Sequence, residues 1–150
     1  MLPWTQLNTA KIPNEGGELT LSQRGDEFSI KISGKRGELM NSRVYNSEKV
    51  LSQLGCAHIK PHHDAHILVG GLGMGYTLAA ALKAVNADSQ VTVAELIPEV
   101  VEWNKGSLGS CAGTQQQDPS LIHICSWRRT GSCCSSRQLP IYNKTNSSRC

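Results

Sequence analysis

At 150 residues, 39% hydrophobic and 18% charged, the chain has the composition of one modest folded domain. Its net charge of +3 is too small and too unevenly spread to indicate a nucleic-acid partner. No apolar run approaches the roughly 20 residues that a bilayer span requires. The start, Met1-Leu2-Pro3-Trp4-Thr5-Gln6, has neither the basic beginning nor the apolar centre of a signal peptide. A cytoplasmic location without membrane association is therefore expected.

Taken in chain order, Glu18 to Gln23 and Glu27 to Ile32 alternate apolar and polar residues on either side of Arg24-Gly25-Asp26. That is a β-hairpin pattern, and Gly34-Lys35-Arg36-Gly37 makes a second turn before Glu38-Leu39-Met40. The outcome expected is a small meander from about Leu19 to Met40. Arg24-Gly25-Asp26 also spells an adhesion tripeptide, but a turn explains it fully. Ser47 with Val50, Leu51 and Leu54 has helical spacing, with Ser47 as N-cap and an end near Gly55. This places the meander and connecting helix at 1-57.

The connector His58 to His66 holds four imidazoles and Asp64, a composition that suits a metal. Pro61 breaks any helix that would align them, so a solvated loop is the better reading and no metal is expected. The run Ile67-Leu68-Val69 then reads as a buried strand entering Gly70-Gly71-Leu72-Gly73-Met74-Gly75, and Ala79 to Ala84 continue as helix formers. Glycines permit a tight turn and close approach of backbone N–H groups to a ligand, and the helix that follows aims its positive end there. Glu95 stands 20 positions after Gly75, at the end of the next strand, Val91-Thr92-Val93-Ala94-Glu95. A carboxylate there can accept hydrogen bonds from ribose hydroxyls. Gly71, Gly73, Gly75 and Glu95 are thus the candidate cofactor-binding residues. The dinucleotide fingerprint would put its last glycine at position 76, where this chain has Tyr76, which disfavours an NAD-dependent oxidoreductase.

These residues resemble a known family. Val91 to Glu102, an apolar strand ending in Glu followed by Pro98-Glu99-Val100-Val101, is similar to the matching segment of spermidine synthases and their methyltransferase-like relatives. Gly70 to Gly75 stands in the place of that family's glycine motif, and Asp118-Pro119 resembles the pair before its next strand. The resemblance covers roughly Gly16 to Ile124. It implies a Rossmann-like sheet behind a small β domain, with S-adenosylmethionine, its decarboxylated form or the thioether product at the strand ends. It also makes Asn41 and Glu48 candidates, because the corresponding region of the family closes over the cofactor and amine. As local features, a turn Asn and a solvated helix face explain them as well. The chain departs from the aminopropyl transferases at two places: Gly73 and Met74 replace an acid in the glycine motif, and Leu96 replaces the Asp after Glu95. Authentic aminopropyl transfer is not expected.

Charge divides the chain unevenly. Met1 to Asp118 carries ten basic and twelve acidic residues, whereas Pro119 to Cys150 has five basic residues, no acid, seven Ser and four of the six Cys. Residues from Ser126 onward lack helical or alternating periodicity. His123, Cys125, Cys133 and Cys134 could be drawn as a zinc set, but without paired CxxC spacing, and a disulfide framework would need an oxidising compartment. Asn143-Lys144-Thr145 and Asn146-Ser147-Ser148 match glycosylation acceptors that a cytoplasmic chain would not use.

The expected architecture is α/β: a small N-terminal β-meander (1-57), the first half of a class I methyltransferase-like Rossmann sheet (58-124), and a tail (125-150) that is disordered or foreign to the fold through truncation or a frame shift. The expected function is that of a spermidine synthase-like transferase that binds S-adenosylmethionine or decarboxylated S-adenosylmethionine. The catalytic base would lie beyond Ile124, so no catalytic residue is assigned. The alternative is a non-catalytic fragment that at most binds nucleoside. A small-molecule acceptor of unknown identity is the expected partner, with homo-oligomerisation a further expectation because three strands leave a sheet edge uncovered.

Overall fold

The computed structural model describes residues 2–59, 64–113 and 122–126. Four strands, β1 (Thr5–Lys11), β2 (Glu18–Arg24), β3 (Glu27–Ile32) and β4 (Met40–Asn41), form an antiparallel sheet in that order. The hairpin reading holds in register. Leu19 pairs with Ile32, Leu21 with Ile30 and Arg24 with Glu27, across a turn in which Gly25 takes positive φ. Alternation puts Leu19, Leu21, Phe28 and Ile30 in the core. The strand β1 carries little pattern of its own, since only Ala10 in it is buried, and its pairing is interrupted by a bulge between Gln6 and Asn8.

The helix α1 (Asn46–Gly55) follows, then β5 (His66–Gly70), α2 (Tyr76–Ala84), β6 (Gln90–Glu95), α3 (Pro98–Lys105) and β7 (Ile122–Ser126). The three later strands form a parallel sheet in the order β5-β6-β7, as crossover connections through α2 and α3 require. Pro98 opens α3, where its missing N–H and fixed φ cost nothing. The strand β7 includes Cys125 and Ser126 in the sheet, opposite Ala94 and Glu95. The fold is thus mixed α/β, a small antiparallel sheet followed by a parallel sheet with helical crossovers.

One core cluster joins the two sheets: Leu21, Phe28 and Ile30 from the first, Val69, Val91 and Val93 from the second, Leu78 and Trp103 from the helices. Two sequence expectations change here. Ser47 lies inside α1, whose N-cap position is Tyr45 with no side-chain cap, and Ser47 Oγ instead donates to Glu48 Oε2 at 2.7 Å. The leucines of α1 face outward, with Leu51 63% and Leu54 71% exposed, while Ser52 is buried and donates to the Thr77 carbonyl at 2.8 Å. The run Ile67-Leu68-Val69 is also not buried on both faces: Val69 is buried, but Leu68 is 65% exposed, because among the described residues no helix covers that side of the sheet.

Candidate functional site

The site is built where β5 ends. Gly71, Gly73 and Gly75 have φ of 89°, 55° and 81°, a left-handed conformation that residues with a Cβ rarely adopt, so the turn depends on glycine at all three positions. Its first step is anchored to the sheet, since Gly71 N–H donates to the Ala94 carbonyl at 2.8 Å. Its last step leads directly into α2, for which Gly75 is the N-cap. The turn therefore presents the start of a helix at the carboxyl end of a parallel strand, the place where such sheets receive ligands.

Glu95 closes the other side. The end of β6 carries it into the core, where it is 8% exposed. Its Oε2 accepts the Leu72 N–H at 2.7 Å and its Oε1 the Ile97 N–H at 2.9 Å. One carboxylate thus ties the glycine turn to the loop that starts α3. A charged acceptor for two buried backbone donors is a strong arrangement, each such bond contributing about 1.5–3 kcal/mol.

Two neighbours were invisible in the sequence. Asn104, on α3, donates through Nδ2 to the Gly73 carbonyl at 2.7 Å and to the Val100 carbonyl at 2.8 Å, which leaves its buried Oδ1 without a partner. A lone Asn within a helix gives no sign of a contact 31 positions away. Met40, on β4, lies over Gly73: a Cβ built on Gly73 would stand 2.7 Å from Met40 Cε and 2.8 Å from its Sδ. On this side of the turn the close approach that glycine allows is used by a side chain of the first sheet. Ser42 and Tyr45 extend the same junction, through a 3.4 Å contact of Tyr76 Oη with the Ser42 carbonyl and a Tyr45–Tyr76 ring stack at 4.5 Å.

Of the remaining candidates, Asn41 organises its own turn. Its Oδ1 accepts the N–H groups of Arg43 and Val44, both at 3.0 Å, and its Nδ2 donates to Glu38 at 3.0 Å. Glu48 lies in the first turn of α1; burial is the main cause that pushes the Tyr76 hydroxyl up, and the charge of Glu48 adds a smaller push. Among the described residues no group of His, Cys, Asp and Glu is arranged to hold a metal. Lys60 to His63 of the connector, Cys133 and Cys134 of the zinc set, Asp118-Pro119 and both glycosylation acceptors lie outside the described residues. Among the described residues no helix is long and apolar enough to cross a membrane.

Comparison with known proteins agrees with this geometry at the level of fold. The chain is similar to the crystal structure of a spermidine synthase in complex with the transition-state analogue AdoDATO, with a TM-score of 0.54 and 16% identity over 79% of this chain and 39% of that one. It is also matched, at a TM-score of 0.48 and 18% identity, by a probable spermidine synthase from Corynebacterium glutamicum ATCC 13032, over 83% of this chain and 44% of that one. No family model and no curated protein matches. The chain has a spermidine synthase-like fold and spans about two fifths of the length of these solved structures.

Proposed function

We propose that this chain binds S-adenosylmethionine or its decarboxylated form at the glycine turn, as the nucleoside-binding part of a transferase. The observation that carries the reading is the placing of Glu95 at the end of β6 beside a turn whose three glycines all have positive φ. A carboxylate offers about four lone-pair positions. Leu72 and Ile97 take one on each oxygen, and those that remain suit a pair of ribose hydroxyls. The fold comparison supports this choice of ligand, since the spermidine synthase it matches was solved with AdoDATO bound.

When bound, such a cofactor supplies a carbon activated by the positive sulfur beside it. The chain's own part is positioning and exclusion of water. Glu95 and Asn104 hold the turn in one conformation, and Met40 caps it from the first sheet. The acids that aminopropyl transferases carry in the glycine motif and after Glu95 are Gly73, Met74 and Leu96 in this chain, so a polyamine acceptor lacks its counter-charges.

Isothermal titration with S-adenosylmethionine, decarboxylated S-adenosylmethionine, their thioether products and NAD tests the reading. Saturable binding of the sulfur nucleosides with weaker or no binding of NAD supports it, and tighter binding of NAD overturns it. The second reading is a chain without catalytic turnover in which Glu95 is purely structural. It is favoured by the two backbone N–H groups that its carboxylate already holds. Absence of sulfur-nucleoside binding by a folded chain would establish that alternative.

A further inference from the structure

Of the side chains that meet the turn at Gly73, two are fastened and one is soft. The Gly73 carbonyl accepts from Asn104 Nδ2 at 2.7 Å, and the N–H of the residue before it, Leu72, donates to Glu95 Oε2 at 2.7 Å. These two bonds hold the turn in place. The soft contact is Met40, whose Cε and Sδ stand 2.7 and 2.8 Å from where a Cβ on Gly73 would be. A thioether thus fills the space that a side chain at this position would take. Methionine is unbranched, turns about three side-chain bonds and packs without a fixed geometry.

The backbone that carries this thioether is anchored. Met40 begins the two-residue strand β4 opposite Ile30, with the Leu39 N–H donating to the Ile30 carbonyl at 2.8 Å and the Ser42 N–H to the Phe28 carbonyl at 3.0 Å. Movement at this place is therefore rotation of one side chain. Met40 is only half-buried, so solvent gives it room to rotate into. A ligand that comes against Gly73 on this side has to displace the thioether, because the backbone of both partners is fastened. The space vacated is bordered by a bare Cα and is filled in this structure by a methylthio group, which suits an apolar, polarisable group and not a carboxylate.

We propose that Met40 is a displaceable cover on Gly73, and that its methylthio end keeps the seat that the sulfur-bearing part of a nucleoside takes on binding. This role rests on the nucleoside reading of the glycine turn and adds the group that selects among nucleosides. One that carries a methylthio group replaces the thioether like for like, and one that ends in a hydroxyl does not.

Methylthioadenosine and adenosine, which differ by a methylthio group against a hydroxyl, make the test. Each is titrated into the full chain with its methionine methyls labelled, the contact between the Met40 methyl and the Gly73 α-protons is followed by NOE, and calorimetry gives the affinities. The contact is expected in the ligand-free chain, lost on saturation with methylthioadenosine and retained with adenosine. Met40→Ala should bind methylthioadenosine about fivefold more tightly, since nothing has to be displaced, and adenosine within about twofold of the unaltered chain. Met40→Val takes its place if the alanine variant does not fold. Binding of methylthioadenosine by the folded variant alone also supports the cover. Methylthioadenosine bound with the contact intact, loss of the contact with adenosine too, no contact in the ligand-free chain, or unchanged methylthioadenosine affinity in the folded variant overturns the cover and leaves the nucleoside reading standing. Binding of neither nucleoside to either folded chain overturns both.

Discussion

Glu95 and Leu72 meet through a 2.7 Å hydrogen bond from the Leu72 N–H to a carboxylate oxygen that is otherwise inside the core. The residue marked by sequence spacing as a ribose acceptor is also the fastening of the glycine turn. Glu95→Ala should therefore destabilise the chain even without ligand, by about 2–4 kcal/mol, because the N–H groups of Leu72 and Ile97 lose their acceptor. Chemical denaturation measures this. Glu95→Gln keeps one acceptor oxygen but sets an amide NH2 against the other backbone N–H, so it too should destabilise, and an unchanged midpoint for Glu95→Ala would remove the fastening role.

Met40 and Gly73 should behave as a coupled pair. Gly73→Ala strains a φ of 55° and pushes aside the flexible end of Met40, the lesser cost, for a total expected loss of about 1.5–3 kcal/mol. In a Met40→Ala background the steric part disappears and about 1–2 kcal/mol of backbone strain remains. A double-mutant cycle by thermal or urea unfolding reads the difference. Simple additivity would mean that Met40 does not cover the turn.

Asn104 tests how rigid the turn must be. Asn104→Asp replaces the donor to the Gly73 and Val100 carbonyls with an acceptor, setting like partial charges against each other, and should cost about 2–3 kcal/mol. Asn104→Leu also removes the unpartnered Oδ1, so its cost should be smaller, about 1 kcal/mol. If the two variants melt together, the carbonyl contacts are incidental.

Two buried groups, Cys56 and Tyr76, and the half-buried Cys111 give stability a high-pH limit. Burial pushes up the thiols of Cys56 and Cys111 and the hydroxyl of Tyr76, from ordinary values of 9.0 for the thiols and 10.0 for the phenol. Each is neutral when protonated, so the unfolded chain releases these protons first. Their contribution is complete below the ordinary thiol value and is lost progressively as pH climbs from there through the raised folded-state values. Melting curves should be flat between about pH 7 and 8 on this account and fall above about pH 9. Cys111→Ser should reduce the slope of that fall.

Substitution of the exposed stripe on α1 should be nearly silent. Leu51→Gln and Leu54→Gln remove side chains that are 63% and 71% exposed and should change stability by no more than about 0.5 kcal/mol each. Ser52→Val, by contrast, puts an apolar group where a hydroxyl holds the Thr77 carbonyl and should cost about 1–2 kcal/mol. Urea unfolding of the three variants ranks them. A large effect of Leu54→Gln would show that this leucine is packed against the rest of the chain.

What the sequence determined by itself was whatever is encoded locally. Alternating residues around Gly25 specify the hairpin, because side-chain period and turn chemistry are short-range. Gly71, Gly73 and Gly75 specify a turn that only glycine adopts freely, and the apolar run ending at Glu95 specifies a strand. The tertiary structure alone decided which partners meet. β1 is a strand because β2 offers it an edge, although only Ala10 in it is buried. The helix α1 faces Leu51 and Leu54 outward and Ser52 inward, where its hydroxyl meets the Thr77 carbonyl on α2. Met40 and Asn104 reached Gly73 from opposite directions in the chain, 33 positions before it and 31 after. Contacts of that span follow from packing, which no local periodicity records.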